Sequence, residues 1–292
     1  MNAYLAAPPG RRPADAPPGT GEVPATGLRL FCFHHAGAGA LTFARWRRGF
    51  DPDVCVLPVR LPGRETRLRE PRITDGRRLL DELEAQLGPL LEQPYALYGH
   101  SLGALVAYRF AQRVRRAGRQ APVLVGLGAC PPPHLPTPLT DQSELPDAAL
   151  LAALDRYGTL PSYLFERPRW LSTLLSTMRD DLRLAASLRE LGRAVGSTTG
   201  STAGSTTGST AGEGWDEPLA GPVHAFAGTG DEAAPAAAVA EWRRWSSGPF
   251  ALHNVPGDHF FVRDTALPEL LAAQLRLRTG QERVSHLCHW PT

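Results

Sequence analysis

No lysine occurs in this 292-residue chain; all 31 basic residues are arginine. Net charge is only +2, so the chain lacks the strong electrostatic pull toward nucleic acid or an anionic membrane that a basic protein exerts. Two readings of the arginine usage stand side by side. One is a codon-composition bias of the source; the other is an arginine docking face for an acidic partner, because the guanidinium fork matches carboxylate and phosphate. Cysteine is also scarce. Cys32, Cys55, Cys130 and Cys288 show no C-x-x-C spacing, which excludes the common zinc and small-scaffold disulfide frameworks. Cys32 and Cys55 sit in apolar strand-like runs and Cys130 at a strand end, so all three are expected to be structural. A reduced, cytoplasmic setting is expected. No apolar run reaches the length of a membrane span, and the Pro/Ala/Gly-rich residues 1–27 lack the apolar core of a signal peptide. That segment is expected to be a disordered tail.

What is present is an alternation of short apolar runs and helical patterns, with ordinary hydrophobic (42%) and charged (21%) content for a globular domain. Strands are predicted at Leu28–Phe33, Val54–Val59, from Tyr95, at Pro122–Gly128, Val223–Ala227 and Phe250–Val255. Between them fall a short helix around Leu41–Phe50, a Leu stripe from Leu79 to Leu91, and helices at Ala104–Ala117, Ala233–Trp245 and Leu267–Leu277. Strands that are apolar throughout and alternate with helices indicate a mostly parallel α/β sheet flanked by helices. The alternation stops between Leu145 and Glu190, a helical stretch with Tyr157, Tyr163, Phe165 and Trp170. Two readings compete there, an extra core helix pair and a helical lid; its position after a strand end, mid-fold, favours a lid over about 137–195. Residues 196–214 carry Gly-Ser-Thr-Thr-Gly-Ser-Thr-Ala twice in tandem, a composition expected to form a flexible loop. One domain is therefore expected over 28–280, with a C-terminal tail at 281–292.

The chemistry is concentrated at Tyr98-Gly99-His100-Ser101-Leu102-Gly103, between a strand and an Ala-rich helix. A G-x-S-x-G pattern is a weak signal alone, but in a strand–turn–helix context it holds a serine hydroxyl at the sheet edge, where a base can reach it. The serine needs that base to take its proton, and the base is usually a histidine oriented by a carboxylate. Asp231 follows one later strand in Gly228-Thr229-Gly230-Asp231, and His259 follows the next in Pro256-Gly257-Asp258-His259-Phe260-Phe261. The order Ser, Asp, His is that of the α/β-hydrolase fold. Ser101 is thus expected as nucleophile, His259 as general base and Asp231 as its orienting acid. Glu232 and Asp216 are rivals less well placed after the strand, and Asp258 reads as a turn residue. His100 reads as a local packing or hydrogen-bonding group, His224 and His253 as strand residues, and His134 as a loop residue. Two backbone N–H donors are needed for the developing oxyanion; Leu102, after the nucleophile, and Ala36, in the His34–Gly39 loop, are the candidates.

Taken together these segments resemble the type II (external, editing) thioesterases of polyketide and nonribosomal peptide synthesis. The resemblance rests on Phe33-His34-His35-Ala36-Gly37, Leu61-Pro62-Gly63-Arg64-Glu65-Thr66-Arg67, the elbow at Ser101, Met178-Arg179-Asp180-Asp181 and Gly257-Asp258-His259-Phe260-Phe261. It runs from about Leu28 to Leu277. It implies an α/β-hydrolase fold with a helical lid, and hydrolysis of acyl thioesters held on the phosphopantetheine of carrier proteins through an acyl-Ser101 intermediate. It also implies no cofactor or metal, no nucleic-acid or membrane partner, and a monomer. A general esterase acting on free esters and a non-catalytic hydrolase-fold protein are the alternatives. The chain departs from the family at His34 (usually Pro), Ala38 (often Gly) and Arg109 (commonly Glu), the last putting any ion pair there in doubt.

Overall fold

The computed structural model describes residues 2–5, 27–139, 142–156, 168–192 and 215–279. The tandem Gly/Ser/Thr segment, Tyr157, Tyr163, Phe165, Cys288, most of residues 1–27 and the C-terminal residues 281–292 lie outside the described residues.

Six strands form one sheet: β1 (Leu28–Phe33), β2 (Val54–Pro58), β3 (Tyr95–His100), β4 (Val125–Gly128), β5 (Val223–Gly228) and β6 (Phe250–Val255). Their order is β2-β1-β3-β4-β5-β6, and every neighbouring pair is parallel. The apolar strands are buried because helices cover both faces: α1 (Gly76–Leu87) and α2 (Leu102–Arg116) contribute to one core, and α6 (Ala266–Thr279) to the other. The chain winds outward from β1 to β2, then returns to β3 on the opposite side of β1. That reversal opens a crevice between the carboxyl ends of β1 and β3, the place where open α/β sheets bind ligands. The register aligns Phe33 with Gly99, His100 with Gly128, and Gly228 with Val255. The segments that follow β1, β3, β5 and β6 therefore emerge along one edge.

Element boundaries differ from the expected ones where local chemistry intervenes. The helix expected around Leu41–Phe50 is two 3-10 turns, Ala40–Phe43 and Trp46–Gly49. Phe43 ends the first turn and Trp46 begins the second, with ring centroids 4.9 Å apart and both rings against Tyr98. The helix expected at Ala233–Trp245 is shorter. Pro235, which has no N–H, precedes α5 (Ala236–Ala240), and a 3-10 turn follows over Glu241–Trp245. Residues 2–5, expected within a disordered tail, are docked on the domain. Leu5 bridges Val59, Tyr4 is buried with its hydroxyl donating to Glu82, and the Arg67 guanidinium lies 4.1 Å above its ring. An aromatic side chain with a cation and a carboxylate to meet is enough to anchor this short piece.

In the 137–195 region the described residues form α3 (Asp147–Arg156) and α4 (Pro168–Glu190). They share a small core of Leu150, Leu154, Leu175, Met178 and Leu182, against which Ala36 of the β1 loop packs. Arg109 forms no ion pair among the described residues. It is fully buried on α2 and donates to the carbonyls of Leu188, Leu191 and Trp215 and to Gln112 Oε1. Four oxygen acceptors replace the counter-charge that an ion pair would supply. No described helix is long and apolar enough to cross a membrane.

Candidate active site

Ser101 sits between β3 and α2 with φ 55° and ψ −115°, a conformation that a non-glycine residue holds only when its surroundings impose it. Close packing imposes it here. A Cβ on Gly99 would lie 1.8 Å from Gly103 O, and one on Gly103 2.1 Å from Phe33 O. The two glycines let strand, turn and helix approach this closely, and the turn presents Ser101 Oγ at the sheet edge. Ser101 N–H donates to Gly128 O at 2.8 Å, which ties the turn to β4.

His259 Nε2 lies 3.2 Å from Ser101 Oγ, and His259 Nδ1 lies 2.8 Å from Asp231 Oδ2. A carboxylate only accepts, so Nδ1 carries the proton and Nε2 is left to accept from the serine hydroxyl. The other oxygen, Asp231 Oδ1, accepts the backbone N–H groups of Ala233 (3.0 Å) and Ala234 (2.9 Å). Asp231 is thus buried with both oxygens occupied. The structure brings Ser101, His259 and Asp231 into one hydrogen-bonded line. The rivals lie elsewhere: Glu232 and Asp216 are exposed, and Asp258 accepts Phe260 N–H in its own turn. His134 accepts from Trp245 Nε1, and His224 and His253 stack on each other across β5 and β6.

His100 does more than pack locally. Its Nε2–H donates to the His259 carbonyl at 2.7 Å, and its Nδ1 accepts from the Tyr98 hydroxyl at 2.9 Å. It therefore holds the β6 loop against the elbow. Burial pushes its pKa well below the usual histidine value, keeping the ring neutral with one donor and one acceptor. His35 is held down in the same way by burial and by the neighbouring His34 and Arg263.

A second set of contacts joins motifs far apart in the chain. Arg64, in the loop after β2, grips Asp181 of α4 with two hydrogen bonds of 3.0 and 2.8 Å. Arg64 also donates to Ala38 O, and Asp181 Oδ2 accepts Gly37 N–H, each at 2.8 Å. Glu65 adds a further bond to Leu41 N–H. The loop bearing Ala36 is therefore clamped from both sides by one buried ion pair. The sequence marked Arg64 and Asp181 only as parts of separate motifs; their pairing has no local signal, since they lie 117 positions apart.

Ser101 and His259 line a cleft of about 690 Å³. Its walls come from the β1 loop, the Gly63–Glu65 loop, and Trp170, Leu174 and Met178 of α4. A smaller cavity of about 70 Å³ also reaches Ser101 and His259; Ala36 borders both spaces and Leu102 the smaller. Among the described residues no group of three or more His, Cys, Asp or Glu side chains is placed to hold a metal ion.

The family model for the thioesterase domain matches residues 28–275. The chain belongs to the thioesterase family. This thioesterase is 28% identical to the gramicidin S biosynthesis protein GrsT of Aneurinibacillus migulanus, over 86% of this chain and 90% of that protein. It is 32% identical to the thioesterase PikA5 of Streptomyces venezuelae, over 83% of this chain and 78% of that protein. Among solved structures it is similar to RedJ, a thioesterase from the prodiginine pathway of Streptomyces coelicolor. The TM-score is 0.71 and the identity 30%, covering 91% of this chain and 96% of RedJ. The thioesterase is accordingly a thioester hydrolase on a parallel α/β sheet.

Proposed function

We propose that this thioesterase removes acyl groups from the phosphopantetheine arms of carrier proteins in a polyketide or nonribosomal peptide synthase, as an editing enzyme. Ser101 is the nucleophile, His259 the general base and acid, Asp231 the orienting carboxylate, and the N–H groups of Ala36 and Leu102 bind the oxyanion. The observation that carries this reading is the Asp231–His259–Ser101 hydrogen-bonded line at a cleft roomy enough for a flexible arm. The relatives named for gramicidin S and prodiginine biosynthesis support the substrate class.

In the first half-reaction Ser101 Oγ bonds to the thioester carbonyl carbon while its proton passes to His259 Nε2. The carbonyl oxygen becomes an oxyanion between the two backbone donors. Collapse of the adduct breaks the C–S bond, and His259 returns its proton to the departing sulfur. In the second half-reaction water gives a proton to His259 and attacks the acyl-Ser101 ester. Breaking the C–Oγ bond then yields the free acid, and the proton returns to Ser101. Asp231 stays ionised throughout and stabilises the imidazolium that forms in each half.

A serine-reactive fluorophosphonate is expected to label the wild-type enzyme and not Ser101→Ala. Rates are expected to be higher on acylated carrier protein than on a free short ester of the same acyl group. Absence of wild-type labelling would overturn the nucleophile assignment. A preference for the free ester would point to a general esterase.

A further inference from the structure

We propose that Tyr4 is a positioning residue for the hydrolysis, and that docked residues 2–5 set the geometry of the oxyanion site through the loop after β2. The inference rests on the reading of Ser101 as nucleophile and Ala36 as an oxyanion donor, and adds a control on that donor from outside the cleft.

Residues 2–5 are tied on two sides. Toward α1, Asn2 Nδ2 donates to Gln86 O and the Tyr4 hydroxyl to Glu82 Oε2, each at 2.6 Å. Asn2 Oδ1 accepts Tyr4 N–H at 2.9 Å, which fixes the turn between them. Toward the loop after β2, Arg60 N–H donates to Tyr4 O at 2.7 Å, and the Arg67 guanidinium lies over the Tyr4 ring. Tyr4 is 2% exposed and shares a core with Val59 and Leu61 of that loop. The ring therefore holds the Tyr4 carbonyl at Arg60 and gives Arg67 a face to lie on. In Tyr4→Ala both the core contacts and the hydroxyl bond are lost, so the segment releases and Arg60 N–H turns to water.

From Arg60 and Arg67 two paths lead to the β1 loop. On the first, Arg60 Nε donates to Glu65 Oε2 at 2.9 Å and Arg60 Nη1 to Thr66 Oγ1 at 2.7 Å. Glu65 Oε1 accepts Leu41 N–H at 2.9 Å and presses on Gly39, where a Cβ would lie 2.3 Å from it. Glu65 needs this support, because its φ of 51° is a left-handed conformation that a non-glycine residue holds only when its neighbours impose it. On the second path, Arg67 Nη1 donates to Arg60 O at 3.1 Å, Arg67 N–H to Arg64 O at 2.9 Å, and Gly63 N–H to Arg67 O at 3.1 Å. These bonds close the turn that aims Arg64 at Ala38 O, 2.8 Å away, and at Asp181. Both paths end just beyond Ala36. A backbone donor is productive only within about 0.5 Å of its working position, so slack in this loop reaches the oxyanion.

The test is Tyr4→Ala in the full chain, assayed well below its melting temperature on an acyl N-acetylcysteamine thioester. An oxyanion donor acts in the transition state rather than on bound substrate, so kcat is expected to fall about tenfold with KM within about twofold of wild type. The rate constant for fluorophosphonate labelling of Ser101 is expected to fall about tenfold as well. The final extent of labelling, which counts folded sites, is expected to stay complete. Tyr4→Phe keeps the ring under Arg67 and the carbonyl at Arg60, and is expected to stay within about twofold of wild type. Arg60→Gln cuts the first path and is expected to lower kcat about fivefold; combined with Tyr4→Ala its effect is less than multiplicative, as for residues acting through one another. If Tyr4→Ala fails to fold, Asn2→Ala loosens the same segment by removing bonds near the surface, with an expected fall in kcat of about threefold. A lowered melting temperature with kcat and labelling rate unchanged, in whichever of these two variants folds, would overturn the proposal and leave residues 2–5 a stabilising contact only. Fully multiplicative effects of Tyr4→Ala and Arg60→Gln would overturn it too. Failure of the underlying reading looks different: the wild type itself would not be labelled.

Discussion

At the residue scale, the role proposed for Asp231 depends on how its two oxygens are divided. Oδ1 accepts two backbone N–H groups and Oδ2 faces His259 Nδ1. In Asp231→Asn the amide oxygen stays with the backbone donors, so the NH2 group faces His259. The imidazole then has to accept at Nδ1 and carry its proton on Nε2, where it can no longer accept one from Ser101. Turnover is expected to fall by about four orders of magnitude with the fold intact. Thiol release followed with a chromogenic reagent, together with circular dichroism, checks both parts; full activity would transfer the role to Glu232 or Asp216. His100 is a second residue whose effect is conformational. Its acceptance of the Tyr98 hydroxyl at Nδ1, while Nε2–H holds the His259 carbonyl, requires a neutral ring, which burial supplies. Asp231, His259 and Ser101 were legible in the chain because each directly follows a strand. The part played by His100 was not, since its partner is 159 residues away.

At the element scale, the buried Arg64–Asp181 pair joins the loop after β2, the loop after β1 and helix α4. Asp181→Asn leaves a buried guanidinium without a counter-charge, a loss of about 3–5 kcal/mol. A melting temperature lower by about 6–12 °C is expected for a loss of about 3 kcal/mol in a domain of this size. Because the same carboxylate accepts Gly37 N–H, kcat/KM is expected to fall as well, through a loosened Ala36 loop. The neighbouring Asp180 is a control. It pairs with Arg72 and Arg183 in a more exposed setting, and Asp180→Asn is expected to cost less than about 1 kcal/mol. Thermal melts and kinetics of both variants distinguish the two aspartates. Sequence periodicity foresaw the helical stretch between Leu145 and Glu190 that carries Asp181. It missed the short 3-10 turns at Ala40–Phe43 and Trp46–Gly49. There the burial of Phe43 and Trp46 against Tyr98 outweighs local helix preference.

At the scale of the whole molecule, buried histidines link stability to pH. Burial, with Arg64 close by, pulls His34 down to about 3, and burial with neighbouring His253 pulls His224 down to about 4. His35 and His100 are lowered well below the usual value, again chiefly by burial. Their folded pKa values lie below the unfolded value of about 6.5. Between those limits the unfolded chain binds more protons, so stability rises with pH. It is fully present above about pH 6.5 and is lost as the pH falls, by up to about 1.4 kcal/mol per pH unit for each histidine. Urea unfolding midpoints are therefore expected to drop steeply from pH 7 to pH 5. In His34→Gln the proton uptake on unfolding is expected to fall by about one. A midpoint independent of pH over this range would contradict the assignment.

The sequence by itself determined the alternation of strands and helices, the elbow at Ser101 and the chain order of Asp231 and His259, because those are local patterns of polarity, turn chemistry and spacing. The alternation also indicated a mostly parallel sheet; tertiary structure alone decided the strand order β2-β1-β3-β4-β5-β6, with β1 and β3 flanking the crevice. It also decided that Arg64 meets Asp181 and that His100 meets the His259 carbonyl. Each of these depends on groups brought together from distant parts of the chain, where packing and burial, rather than any local preference, set the geometry.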